Sequence, residues 1–266
     1  YDTVKGFDSN ICFGSPSMLY DTLVNGEWLP RFMDFANTQN CPPDFLHFHF
    51  YPISLESASI PNLPQHEHLI LDRNENLLRD TISRIRKNIR ARGLFVPRLY
   101  LTEWNSSVSH RDLLNDTAFK AAYIVKNILE NYDRLDSFGY WLSTDLLEEV
   151  KISNQVFHGG LGLFTYNGIK KAAYYGFSLL ARLGDAMLGR GNGYFVTKGR
   201  DGVQILLYNY QHYSSLYASG ELFDMTFTNR YTPFLNGKIK KFTIPLTGLT
   251  DGPWTVTETI VNRESG

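Results

Sequence analysis

The chain has 266 residues, 43% of them hydrophobic, and a formal net charge of −1 at pH 7. That is enough apolar material for a sizeable core, which excludes a disordered chain, and the balanced charge gives no global pull toward nucleic acid or an anionic membrane. No apolar run is long enough to span a bilayer and no signal peptide opens the sequence, so a cytoplasmic protein of one large domain, or one plus a small one, is expected.

The opening Tyr1-Asp-Thr-Val-Lys-Gly-Phe lacks an initiator Met and reads like the end of a helix, as expected of a fragment. Cys12 and Cys41 flank apolar strand segments and cannot form a disulfide framework, so buried free thiols in a reducing compartment are expected. The 16 Tyr and 18 Phe suit either a carbohydrate-handling surface or a large aromatic core.

In chain order, Asn10–Gly14 is a short apolar run broken by Gly14, Ser15 and Pro16, and predicts a strand entering a loop. Residues 28–37 have helical spacing. Residues 44–51 predict a second strand, ended by Pro52, whose period of two puts Phe45, His47, His49 and Tyr51 on one face and Leu46, Phe48 and Phe50 on the other. Residues 53–68 read as a loop. From Asn74 to Arg92, Leu78, Ile82, Ile85 and Ile89 recur at helical spacing, and Gly93 makes a fitting stop.

The next stretch, Arg98-Leu-Tyr-Leu-Thr-Glu-Trp-Asn-Ser-Ser107, organises the chain. An apolar run ends abruptly at Glu103, with a helix before it and another, from Asp116 to Asn131, after it. The second of these should turn Ala122, Val125, Ile128/Leu129 and Tyr132 inward, starting at Asp116/Thr117. In α/β sheets and barrels the C-terminal tip of a strand is where ligands sit, so Glu103 is a functional candidate; the alternative is a structural acid paired with a nearby base. Residues 135–142 predict a fourth strand. A loop with Asp145, Glu148 and Glu149 follows, then the glycine-rich stretch Phe157–Leu163 and a helix over 171–182 closed by Gly184.

From Asp185 short alternating runs take over: 193–197, 203–210, 225–228, 241–245 and 254–261. This predicts an all-β, sandwich-like module over 185–266 behind an α/β domain over 1–184. Four strand–helix units imply a right-handed parallel array, either an open sheet or half of a (β/α)8 barrel.

Several other patterns have plain readings. His66-Glu-His68 has zinc-like spacing without a third ligand, and a surface cluster is the better account. Gly189–Gly193 mimics a phosphate loop without strand-to-helix context and reads as a β-turn. Arg84, Arg86, Lys87, Arg90 and Arg92 interleave with the apolar stripe of a helix, which points to a solvated face rather than nucleic acid. Ser106, Ser107 and His110 lack a nucleophile elbow. Trp141 is a packing residue or a sugar platform. No metal or cofactor is expected.

The segment Leu101-Thr-Glu-Trp-Asn-Ser-Ser107, with Asp116-Thr-Ala-Phe-Lys-Ala-Ala-Tyr downstream, resembles glycoside hydrolase family 39, which contains β-xylosidases. Gly14-Ser-Pro, 44–52, Asp136–Trp141, 157–163 and 174–184 match in the family's order. The resemblance implies a (β/α)8 barrel with an attached β-sandwich and a retaining hydrolysis of terminal β-xylosides. Glu103 would be the nucleophile at the end of the seventh barrel strand, with His49 and Tyr51 at the end of the sixth and Trp141 at the end of the eighth. Glu148 or Glu149 would hold sugar hydroxyls. His49, Tyr51 and Asn105 could donate hydrogen bonds that keep Glu103 ionised, and Trp104 and Trp141 offer flat faces to a sugar ring. The family's general acid, a Glu in an Asn-Glu-Pro motif, has no counterpart here; Asn74-Glu75-Asn76 opens a helix. The expectation is therefore the C-terminal half of a barrel plus part of a sandwich, inactive alone, prone to self-association or docking with its missing N-terminal half. The alternative is a non-catalytic sugar-sensing module of a larger helix-turn-helix transcriptional regulator, although no DNA-binding segment lies in these residues.

Overall fold

The structure, a computed structural model, describes residues 1–19, 26–54, 70–93, 98–147, 150–221, 225–234, 237–249 and 251–264. Its elements are α1 (Asp2–Phe7), β1 (Met18–Leu19), α2 (Trp28–Thr38), β2 (Phe45–Phe50), α3 (Leu77–Ala91), β3 (Arg98–Trp104), a 3-10 turn (Leu113–Asp116), α4 (Ala118–Asn131), β4 (Ser137–Tyr140), α5 (Ala172–Leu180), β5 (Ala186–Gly191), β6 (Tyr194–Gly199), β7 (Gly202–Leu207), α6 (Ser215–Ala218) and a 3-10 turn (Thr232–Phe234). The protein is mixed α/β, with a parallel sheet ordered β1-β2-β3-β4 and an antiparallel sheet ordered β5-β6-β7.

The parallel sheet has one closed face. Leu46, Phe48 and Phe50 of β2 and Leu99, Leu101 and Trp104 of β3 are all at most 2% exposed. They pack with Leu78, Ile82, Ile85 and Ile89 of α3 and with Ile124, Val125 and Leu129 of α4 in one core cluster. Each such side chain, fully buried, stabilises the fold by about 1.5–3 kcal/mol. The other face of β2 carries the half-buried Phe45, His47 and His49, the alternation expected of that strand.

The β3 strand breaks the rule of two. Leu99 and Leu101 point to the core, and strict alternation would send Glu103 after them. Pairing with β2 instead runs Phe48↔Leu101 and then His49↔Glu103, so that Thr102 is an extra residue in β3. The β3–β4 register skips at the same place, from Leu101↔Phe138 to Trp104↔Tyr140. This bulge turns Glu103 to the open face and returns Trp104 to the core. Gly139 of β4 lies against the bulge, and a Cβ there would come within 2.4 Å of the Thr102 carbonyl oxygen.

Several expectations need correction. The first strand lies at Met18–Leu19; the Asn10–Gly14 run contributes a single bridge, Gly14 to Phe45. Cys12 is exposed and Cys41 half-buried, so neither is a core thiol. The α4 helix is buried nearly all round, including Phe119, Lys120, Tyr123 and Asn127, while Tyr132 is 39% exposed. The cause is a second layer: α5 packs on one side, where Gly176 sits over the Ala121 backbone, and Tyr210, Tyr213 and Phe234 ring Phe119 on another. Of the alternating runs after Asp185, only those around β6 and β7 form strands, and Gly189 and Gly191 belong to β5 rather than to a turn alone. The runs at 225–228, 241–245 and 254–261 are not strands; Trp254, Val256 and Ile260 are 53%, 89% and 54% exposed, because alternation without a partner edge cannot satisfy the backbone. Of the basic residues of α3, Arg84, Lys87 and Arg90 are exposed, while Arg86 is half-buried and donates to the Arg134 carbonyl at 2.6 Å; Arg92, just past the helix, is half-buried and paired to Asp34 at 3.4 Å.

Candidate functional site

The site forms at the C-terminal ends of β2, β3 and β4. Parallel pairing brings His49 directly opposite Glu103, and the bulge at Thr102 lets both side chains face the same way. His49 Nδ1 lies 3.5 Å from Glu103 Oε2, with the two side chains 33% and 23% exposed. Tyr51, one residue past the end of β2, is itself 3% exposed, and its hydroxyl donates to Glu103 Oε1 at 2.6 Å. The carboxylate is thus reachable from solvent while one oxygen is held by a buried phenol and the other faces an imidazole.

Two aromatic expectations separate. Trp104 is 0% exposed and cannot offer a face to a ligand; it stacks on Tyr123 at 5.8 Å and meets Phe138 and Tyr140 edge-on. Trp141, just beyond β4, is half-buried, and its N–H donates to the Trp104 carbonyl at 3.1 Å. The Trp141–Leu142 peptide is cis.

Asn105 is not a donor to Glu103. It is 0% exposed; its amide nitrogen donates to the Trp141 carbonyl and, at 3.4 Å, to the Leu161 carbonyl, which occupies both N–H bonds. Its oxygen accepts from Lys120 Nζ and from the Ser106 N–H at 2.7 Å. Lys120 also donates to Ser106 Oγ. Ser106, Ser107 and His110 are at most 2% exposed, so neither of these serines stands at the surface. Glu148 and Glu149 lie outside the described residues, as do His66, Glu67 and His68.

A second buried polar network lies behind the loop after β4. Lys171 Nζ pairs with Asp116 at 2.7 Å and with Asp145 at 2.9 Å, all three side chains at most 1% exposed, and donates to the Gly160 carbonyl at 2.7 Å. The two aspartates in turn accept from the Gly159 and Gly162 N–H groups. Asp116 therefore tethers a loop rather than capping α4. The glycine-rich stretch is pinned by these bonds, and a Cβ on Gly160 would sit 2.3 Å from Asp145 Oδ1.

Sequence reading missed Lys120 and Lys171. The available signal was a lysine inside an otherwise apolar helical run, Ala118-Phe-Lys-Ala-Ala-Tyr-Ile-Val125. Among the described residues there is no group of three or more His, Cys, Asp or Glu side chains suited to a metal ion, and no helix long and apolar enough to cross a membrane.

Comparison with known proteins gives a consistent family. Residues 2–207 match the model for glycosyl hydrolases family 39. A beta-xylosidase of Geobacillus stearothermophilus is 31% identical over 211 residues, 77% of this chain and 40% of that protein. A beta-xylosidase of Caldicellulosiruptor saccharolyticus is 33% identical over 181 residues, 68% of this chain and 34% of that protein. The crystal structure of a monomeric beta-xylosidase from Caulobacter crescentus CB15 shares the fold, with a TM-score of 0.69 at 23% identity, over 82% of this chain and 43% of that one. The chain thus spans well under half the length of these relatives.

Proposed function

The chain belongs to the glycosyl hydrolases family 39, and on that premise we propose that it carries the nucleophile side of a retaining glycosidase acting on terminal β-xylosides. The observation that carries the reading is the Glu103 carboxylate at a strand tip, bonded by Tyr51 at 2.6 Å and facing His49.

In this reading a Glu103 oxygen attacks the anomeric carbon. A bond forms between them while the glycosidic C–O bond breaks, and the leaving oxygen takes a proton from a general acid. Water, giving a proton to the same residue now acting as base, then attacks the anomeric carbon, its bond to Glu103 breaks, and the sugar is released with net retention. Retention needs the acid carboxyl about 5–5.5 Å from the nucleophile. The 266 residues hold no Asn-Glu-Pro sequence, so the acid role is assigned to a segment outside them. The four parallel strands then form the second half of an eight-stranded barrel, residues 1–184 being barrel and 185–266 part of a sandwich. Trp141 is assigned as a face for the sugar ring, and Glu149 as a partner for its hydroxyls.

The test is hydrolysis of an aryl β-xyloside by the full-length protein, by its Glu103→Ala variant and by residues 1–266 alone. The reading expects turnover only from the first. Full activity in the Glu103→Ala variant overturns the nucleophile, and turnover by residues 1–266 alone overturns the external acid.

A further inference from the structure

We propose that Lys120 is a positioning residue of this site: its buried ammonium fixes the Asn105 amide and, through it, holds the Trp141 backbone to the strand tip that bears Glu103. The inference rests on the reading of Glu103 and Trp141 given above.

The argument starts from donor chemistry. Lys120 Nζ donates to the Asn105 side-chain oxygen. The amide nitrogen is turned the other way, onto the Trp141 carbonyl. A second connection runs between the same strands, from the Trp141 N–H to the Trp104 carbonyl at 3.1 Å. On the far side, the Asn105 N–H donates to the Phe50 carbonyl at 3.2 Å. Asn105 therefore joins the ends of β2, β3 and β4, and Lys120, together with the Ser106 N–H at 2.7 Å, holds its oxygen side in place. Without that lysine the amide oxygen keeps the Ser106 N–H but loses its side-chain donor, and the bond to Trp141 loses the brace behind it.

The placement is costly, which argues that it has a use. Lys120 is 1% exposed on α4. Burial pushes its amine down to about 7; Asp112 ahead of the 3-10 turn, Asp116 within that turn and Asp145 in the loop after β4 act against that, and the like charge of Lys171 before α5 acts with it. A methionine of similar length would fill the space without desolvating a charge. What methionine cannot do is orient Asn105.

Lys120→Met in the full-length protein is the first test, read by steady-state kinetics on an aryl β-xyloside and by acrylamide quenching. Quenching is measured with every tryptophan of that protein other than the core Trp104 and the half-buried Trp141 replaced by Phe, Trp28 and Trp254 among them. The expected result is about a tenfold loss of kcat/KM, the equivalent of one buried hydrogen bond, carried mainly by KM, with quenching of Trp141 raised about twofold. Asn105→Asp is the second variant. It keeps a partner for Lys120 but cannot donate to Trp141, and it should give the same pattern. Folded variants with unchanged KM and unchanged quenching overturn the proposal. So does a loss confined to kcat with Trp141 undisturbed. Should the full-length protein show no glycosidase activity, the functional reading fails, and quenching alone still decides the role of Lys120.

Discussion

The Tyr51 hydroxyl donates to Glu103 Oε1 across 2.6 Å, from a side chain that is itself almost wholly buried. A hydrogen bond from a fixed, desolvated donor needs no reorganisation when charge shifts on the carboxylate. Tyr51→Phe removes that donor and keeps the ring. The expected outcome is a 10- to 100-fold loss of kcat/KM on an aryl β-xyloside, about 1.5–3 kcal/mol for a hydrogen bond to a charged group, with melting temperature changed by only a few degrees.

Gly139 faces the bulge that turns Glu103 outward, and an added Cβ would lie 2.4 Å from the Thr102 carbonyl oxygen. Gly139→Ala should separate β3 from β4 or remove the bulge. Destabilisation of about 1–3 kcal/mol in urea unfolding is expected, with a larger loss of kcat/KM than the stability change alone accounts for. A variant that is less stable but fully active would show that the bulge does not aim Glu103.

The Lys171 ammonium is paired with Asp116 and Asp145 where all three side chains are shut off from water. Lys171→Met leaves two buried carboxylates without a counter-charge. Such losses cost about 3–5 kcal/mol, measurable as a lowered urea midpoint, and the Gly159–Gly162 segment should lose protection in hydrogen exchange.

His110 and His212 are held neutral in the fold, each pushed down to about 4 chiefly by burial. Unfolded, each takes a proton near its ordinary value of about 6.5. Between pH 6.5 and 4 the unfolded chain therefore binds more protons than the native one, so stability falls as pH falls through that window. The loss approaches about 3 kcal/mol per histidine by pH 4. His110→Gln should flatten the pH dependence of the urea midpoint below pH 6.5 while leaving stability above pH 7 closer to that of the parent.

Much of the framework was legible in the sequence because it rests on local periodicity. Ile82, Ile85 and Ile89 marked the buried face of α3, the alternation of residues 45–50 marked β2, and Glu103 stood out where an apolar run met an acid. Those features follow from backbone geometry within one element. Three matters belonged to the tertiary structure alone. The direction of Glu103 depends on a bulge registered against two neighbouring strands, and period-two counting from Leu99 and Leu101 would have buried it. The fates of Trp104, placed in the core, and Asn105, turned from Glu103 to Trp141, depend on which side chains arrive from α4 and β4. The alternating runs near the C-terminus carry a strand-like pattern, but a strand exists only where another edge takes its hydrogen bonds, and pattern alone cannot supply that edge.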